Sequence, residues 1–555
     1  MKPPDFGSLC EFVSQKSYYL CYMAKLQGVL SHQKAQAPVS VGPASQTHRD
    51  KVGYWIAGLY TLMIGSYAIL SRKIGLYDIE TDFYMDYIPQ AQAILKGEML
   101  IPHNHGPGLP LILAPLSLLF KDHFLIGMCI SVFSAGLTLL MVYLLIYQAI
   151  SKRLAIVTIL SMICNHTFLR YSYIASSDML FNAFLFSTLY SLYLAFRNEK
   201  SLYHFISGGL ASFSFLVRYN GIFLIPTYIA LLLYKKWGDL KSIVRYAGLF
   251  LVGYSLFFIP WGLYTLSKTG RFLYNENYAN VAWAIYGKDK FFWDDFWNNK
   301  QKEFNSYLDV ILKDPAIFFQ KIIENMVTHV WYDFRDMIGW YFIPLFIVGL
   351  WLFFRHKYWK SMIEITIASA SYYLFMTIVM HSDRYSMFLL PFYFSIAWLP
   401  FRKELIKGIP LLPMAFFILN APAFAKAVGR VKSDKQNEPI DVIKIAKQFN
   451  KMYGDKEKGK SIFARKAQIA YYLGMEFKLI PYGSSIEAVV EEMRKQNVQY
   501  LYFSGIEYAL RPELRPLQNY QNPPPSLEPV LINYQPFAIL YRLREVPHGH
   551  SLGAR

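Results

Sequence analysis

Long apolar runs separated by short polar loops fill residues 53–424, whereas residues 1–50 and 425–555 are mostly polar. A helix needs about 20 apolar residues to cross a bilayer whose hydrocarbon is about 30 Å thick. Spans are therefore expected near 53–71, 124–149, 154–169, 178–196, 203–217, 221–234, 243–266, 337–354, 361–380, 385–400 and 405–424. Residues 108–120 (GLPLILAPLSLLF) are apolar but short, and Pro110 and Pro115 interrupt them. An interfacial or re-entrant helix suits them better than a crossing.

The pattern changes after the last apolar run. Residues 439–453 alternate as an amphipathic helix, while SIFA (461–464) and VQYLYFS (498–504) read as strands. Ser484-Ser485-Ile486-Glu487 has the form of a capping box opening a helix to about 497. Alternating helices and strands predict a small α/β domain over 425–555. No internal repeat relates two halves of the chain, the first 50 residues read as a disordered tail, and so do the last ten.

Composition sharpens the class. The chain has 555 residues, 54% hydrophobic and 17% charged, with a mean hydropathy of +0.22. Soluble domains carry about 25% charged residues, so a soluble enzyme and a disordered regulator are both excluded. The net charge of +18 does not imply nucleic acid, because most of it lies in short loops between apolar runs. Loops 150–153, 196–201, 235–245, 355–360 and 401–407 hold fourteen Lys and Arg against three acids, and the alternate loops lack that excess. The positive-inside rule then places the N-terminal tail (1–52) in the cytoplasm and 72–123, 267–336 and 425–555 outside. The expected fold class is a polytopic α-helical plasma (inner) membrane protein of about eleven spans with a C-terminal extracytoplasmic α/β domain. Cys10, Cys21, Cys129 and Cys164 lie in the tail or in apolar runs, which argues against a disulfide framework.

Candidate chemistry concentrates in the outer loops. Tyr77-Asp-Ile-Glu80-Thr-Asp82-Phe-Tyr-Met-Asp86-Tyr-Ile-Pro89 places four acids among apolar and aromatic residues, where a carboxylate can act as a general base. Asp86 has an alternative reading as the N-cap of the helix that follows. His103 and His105 could bind a metal, but no third ligand sits at diagnostic spacing; the neighbouring Gly-Pro pairs read as a turn. Asp178 opens an apolar run, so it is either a helix cap or a buried functional acid. Arg218, His381, Arg384 and Tyr385 lie at the outer ends of spans. There an arginine either snorkels to the interface or joins others to bind phosphate.

Several of these stretches, in this order, carry a resemblance. They are ETDFYMDYIPQAQAILKG, HGPGLPLILAPLSLLF, SSDMLFNAFLFSTLYSLYLA, GLASFSFLVRYNGIFLIP, HSDRYSMFLLPFYFSIAW and, after the last span, SIFARKAQIAYYLG. Over roughly 55–545 the chain resembles bacterial GT-C membrane glycosyltransferases related to the protein mannosyltransferases (glycosyltransferase family 39) and to the aminoarabinose transferases of lipid A. The resemblance implies an inverting enzyme that moves a sugar from a polyprenyl-phosphate carrier to a glycan, lipid or protein acceptor on the outer face. It implies that Asp82 is the catalytic aspartate, with Asp86 the alternative register, and it matches Asp178 and Arg384 to family positions. His105 stands near the place where relatives carry a phosphate-binding lysine. Arg384, with Arg218, His381 and Tyr385, would hold the carrier phosphate. Some relatives place a divalent metal at the acids, which leaves a metal open here; no other cofactor is implied. The competing class is a polytopic transporter or lipid flippase, which would favour internal repeats and ionisable groups near the midplane.

Overall fold

The computed structural model describes residues 51–544 apart from 103, 289, 292, 403–410 and 482–484. The expected N-terminal and C-terminal tails, His103, Ser484 and the start of the 405–424 span lie outside the described residues.

Each of the eleven apolar stretches carries helix. Five described helices are long and apolar enough to cross a membrane, among them Val52–Ser71, His123–Ala149, Asp178–Asn198 and Leu240–Thr269. Two bent pairs bring the count to as many as seven. One expected span, 154–169, breaks at Asn165: Lys152–Cys164 and His166–Tyr173 meet at 70°. The Asn165 side chain caps the second helix, accepting from the amides of Thr167 and Phe168. The 337–354 stretch is likewise the second arm of a pair bent by 105°, with the turn at Gly339 (φ +105°), a conformation only glycine adopts readily. Gly108–Ser117, Ser201–Val217 and Ile363–Met376 are apolar but shorter.

The bundle core is built from aromatic and aliphatic side chains of these helices, with Leu139, Leu185, Leu189, Leu224 and Trp398 fully buried. Ser201–Val217 and Leu240–Thr269 approach closely, because a Cβ on Gly208 would strike the Phe250 carbonyl and one on Gly253 that of Phe205. Small residues at a helix crossing let two backbones come together where lipid supplies no hydrophobic drive.

The last apolar helix, Leu411–Gln436, continues past the expected boundary at 424, and the α/β unit begins with Ile440–Tyr453. Its sheet comprises β1 (Ser461–Ala464), β2 (Glu476–Leu479), β3 (Tyr500–Ser504), β4 (Leu527–Tyr534) and β5 (Phe537–Leu543), in the order β2-β1-β3-β5-β4. β1 pairs parallel with β2 and β3, and β5 pairs antiparallel with β3 and β4. β1 and β3 fall where the sequence places them. Ser485 caps Ile486–Lys495 by accepting from the Ala488 amide at 3.3 Å.

Candidate active site

The first outer loop is anchored before it reaches its acids. Arg72 is fully buried and pairs with Glu80 at 2.6 Å and Glu438 at 3.2 Å. Glu80 also accepts from the amides of Leu76 (2.7 Å) and Ala175 (2.8 Å), so it is structural, tying the loop to the segment before Asp178. A π-helical turn, Phe83–Tyr87, then leads into the helix Ile88–Leu95. Such turns recur at functional sites. Asp82 stands at its entrance and Asp86 inside it. The residue before Ile88–Leu95 is Tyr87, and no side chain caps that helix. The alternative reading of Asp86 as an N-cap is therefore corrected: the helical chain is already formed upstream of it.

Both acids face His105. Its Nε2 lies 3.6 Å from Asp82 Oδ2 and 3.6 Å from Asp86 Oδ2, and its ring sits 5.2 Å from that of Tyr87. The segment bearing His105 is pressed onto the end of Ser201–Val217: a Cβ on Gly106 would overlap the Leu216 carbonyl, and one on Gly108 the Val217 amide. Glycine is thus needed for this close approach to the residues just before Arg218.

Arg218 donates to Asp178 Oδ1 at 2.7 Å and to Ser177 Oγ at 3.3 Å. Asp178 is the first residue of its helix, where the dipole favours negative charge. Its carboxylate meets Arg218, and the expected cap position falls to Ser177, whose side chain makes no cap hydrogen bond. Tyr87 OH donates to Ser177 Oγ at 3.0 Å; burial pushes its phenol up from the ordinary value, keeping it a neutral donor. The Arg218 guanidinium lies 5.3 Å from the Tyr385 ring and that of Arg384 4.8 Å from it, and Arg384 Nη2 donates to the Tyr385 hydroxyl at 2.8 Å. Two guanidiniums share one phenol ring, with Asp178 and Asp82 in electrostatic reach of Arg384.

His381 is engaged elsewhere. Its Nε2 lies 2.8 Å from Asp333 Oδ1, and Tyr393 OH donates to the other oxygen of that fully buried carboxylate at 2.9 Å. Asp383 faces His166 at 3.6 Å. The loop that carries Arg384 is thus held by imidazole–carboxylate contacts through His381 and Asp383, while Tyr372 OH donates to the Tyr385 carbonyl at 2.7 Å. Sequence reasoning named Asp82, Asp86, His105, Asp178, Arg218, Arg384 and Tyr385, which the fold brings into one neighbourhood. It missed Tyr87 and Ser177, which lie inside the quoted motifs. It also missed Asp333 and His166, whose partners are distant in sequence.

The arrangement offers three kinds of chemistry. The acids offer proton acceptance, and the arginines offer anion binding. Asp82, Asp86 and His105 also present one ligand atom each within 4.8 Å of one another. Two hard oxygens and an imidazole suit a divalent cation.

Residues 104–264 match the family model described as dolichyl-phosphate-mannose-protein mannosyltransferase. That stretch contains His105, Asp178 and Arg218. No curated protein matches the chain in sequence. Among solved structures, the chain is similar to the oligosaccharyltransferase of Archaeoglobus fulgidus in complex with zinc and sulfate. The match has a TM-score of 0.55 and 13% identity, covering 84% of this chain and 71% of that one. It is also similar to ArnT from Cupriavidus metallidurans bound to undecaprenyl phosphate, with a TM-score of 0.54 and 10% identity over 89% and 98% of the two chains. The archaeal oligosaccharyltransferase AglB from Archaeoglobus fulgidus, in complex with an inhibitory peptide and a dolichol-phosphate, matches at 0.53 with 14% identity over 83% and 70%. The chain is a multi-pass membrane protein with the fold of the GT-C glycosyltransferases. Within that class, its segment 104–264 carries the protein-mannosyltransferase pattern.

Proposed function

We propose that this protein is an inverting glycosyltransferase that moves a sugar from a polyprenyl-phosphate carrier to an acceptor hydroxyl at the outer face of the plasma membrane. The observation that carries the reading is the pairing of a carboxylate cluster, Asp82 and Asp86, with two guanidiniums, Arg218 and Arg384, stacked on Tyr385. The undecaprenyl phosphate of ArnT and the dolichol-phosphate of AglB are the kind of ligand such a pair of arginines recognises.

The acceptor oxygen attacks the anomeric carbon from the side opposite the phosphate. The carbon–oxygen bond to the phosphate breaks, and its electron pair leaves with the carrier. Asp82 takes the acceptor proton. It is the more exposed acid, its side chain 46% accessible against 33% for Asp86, so the acceptor reaches it first. Arg218 and Arg384 stabilise the charge on the departing phosphate, which is already a competent leaving anion and needs no acid. Asp86 and His105 orient the base. A divalent cation, if bound, would be held by Asp82, Asp86 and His105 and would supply positive charge toward the phosphate. His381, held by Asp333, supports the Arg384 loop in this reading instead of touching phosphate.

The charge bias of the loops supports an α/β domain at the outer face. The test is transfer itself: purified protein in lipid discs, given polyprenyl-phosphate sugars and envelope glycan, lipid or peptide acceptors, releases polyprenyl phosphate and glycosylated product. Binding of the donor without release of polyprenyl phosphate under any acceptor would contradict it.

A further inference from the structure

The α/β unit does more than follow the last helix: it grips the loop that carries the two acids. Ile74, from the start of that loop, is fully buried in the α/β core among Val442, Ile445, Ile462, Leu473 and Tyr502. Gln468 Nε2 donates to the carbonyls of Leu76 (3.3 Å) and Gly75 (3.5 Å). Past Asp82, between the two acids, Tyr84 OH and Tyr472 OH lie 3.4 Å apart. Between these anchors, Lys466 Nζ donates to Thr81 Oγ1 at 3.0 Å, and Thr81 Oγ1 donates to the Tyr77 carbonyl at 2.5 Å. Lys466 lies two residues past β1, at the carboxyl end of the strand that the chain leaves toward β2 on one side and returns past to β3 on the other. In open parallel sheets that crevice is where ligands are received; here a stretch of the same chain, ending at Asp82, occupies it.

We propose that Lys466 is a positioning residue of the transfer reaction, fixing Thr81 and through it the placement of Asp82. The proposal rests on the reading of Asp82 as base. The ammonium holds the hydroxyl one residue before Asp82, and that hydroxyl closes the turn through the Tyr77 carbonyl. Removing the ammonium lets the turn open while Ile74, Arg72 and Gln468 keep the loop attached.

The experiment compares Lys466→Met, which keeps the stem and loses the charge, with Lys466→Arg and Thr81→Val, in the full-length protein. The readouts are amide exchange over 77–88 and steady-state transfer. In Lys466→Met, exchange over 77–88 should quicken by about tenfold while the helices Asp178–Asn198 and Leu240–Thr269 are unchanged. Turnover should fall at least about tenfold with the KM for the lipid donor unchanged, as a misplaced base predicts. Lys466→Arg should recover most of both, and Thr81→Val should reproduce the loss without further loss when combined with Lys466→Met. Unchanged exchange over 77–88 in both Lys466→Met and Thr81→Val overturns the proposal. So does quickened exchange with full turnover. If the wild-type protein transfers no sugar, the functional reading fails by itself, and the exchange comparison still decides whether Lys466 fixes the loop.

Discussion

Arg218 already donates to the Asp178 carboxylate at 2.7 Å, whereas the hydrogen bond from Arg384 goes to the Tyr385 hydroxyl. In the proposed reaction Arg384 is therefore the arginine with more of its charge left for a carrier phosphate. Arg384→Ala should raise the donor KM by an amount corresponding to about 1.5–3 kcal/mol, the size of a charged hydrogen bond. Donor titration of the folded variant checks this, and an unchanged KM would leave Arg384 as an interface residue. At this scale the acids, arginines and Tyr385 were legible because ionisable groups beside apolar spans are costly and stand out. The His381–Asp333 pair was not, since its partners lie 48 residues apart in sequence.

At the scale of elements, the turn around Gly106 and the capping box at Ser504 each make a separable prediction. Gly106→Ala would drive a methyl into the Leu216 carbonyl, so backbone must move beside His105. Overpacking of this kind costs about 1–3 kcal/mol; thermal unfolding should fall accordingly and transfer should fall with it. In the α/β unit, Glu507 is buried and accepts from Ser504 Oγ (2.6 Å), the Ser504 amide (3.0 Å) and the Arg465 amide (3.2 Å). Burial nevertheless raises its carboxyl above the ordinary glutamate value, outweighing the lowering effect of those hydrogen bonds. A carboxylate with a raised folded pKa binds more protons folded than unfolded, so its contribution to stability is lost as pH rises from the unfolded value, about 4.3, through the folded one. Wild type should thus lose stability relative to Glu507→Gln as pH rises above about 4. Parallel melts across that range check the slope, and a difference that grows toward low pH would contradict it.

The elements themselves were read unevenly. Long apolar runs announced the helices, while the breaks at Asn165 and Gly339 turn on single residues inside otherwise continuous patterns. In the α/β unit, β1 and β3 are short buried runs and were visible. β2 has an exposed or half-exposed charged pattern, EFKL, and β4 carries Pro529 at an irregularity in its register, so neither shows a strand's alternation.

For the whole molecule, fourteen basic residues in one set of loops and a fold shared with proteins that bind undecaprenyl phosphate and dolichol-phosphate frame one account. A reporter active only outside the cytoplasm, fused beyond β5, should be active; activity restricted to a cytoplasmic reporter would reverse the orientation and move the acids to the wrong side. The account's central claim is that Asp82 accepts the proton during sugar transfer. Asp82→Asn keeps the shape and one acceptor oxygen but removes the charge. The decisive measurement is the single-turnover rate of sugar release from polyprenyl phosphate by the purified, folded variant beside wild type and Asp86→Asn. The account predicts a fall of at least about a hundredfold for Asp82→Asn and a smaller one for Asp86→Asn; full turnover in Asp82→Asn would contradict it.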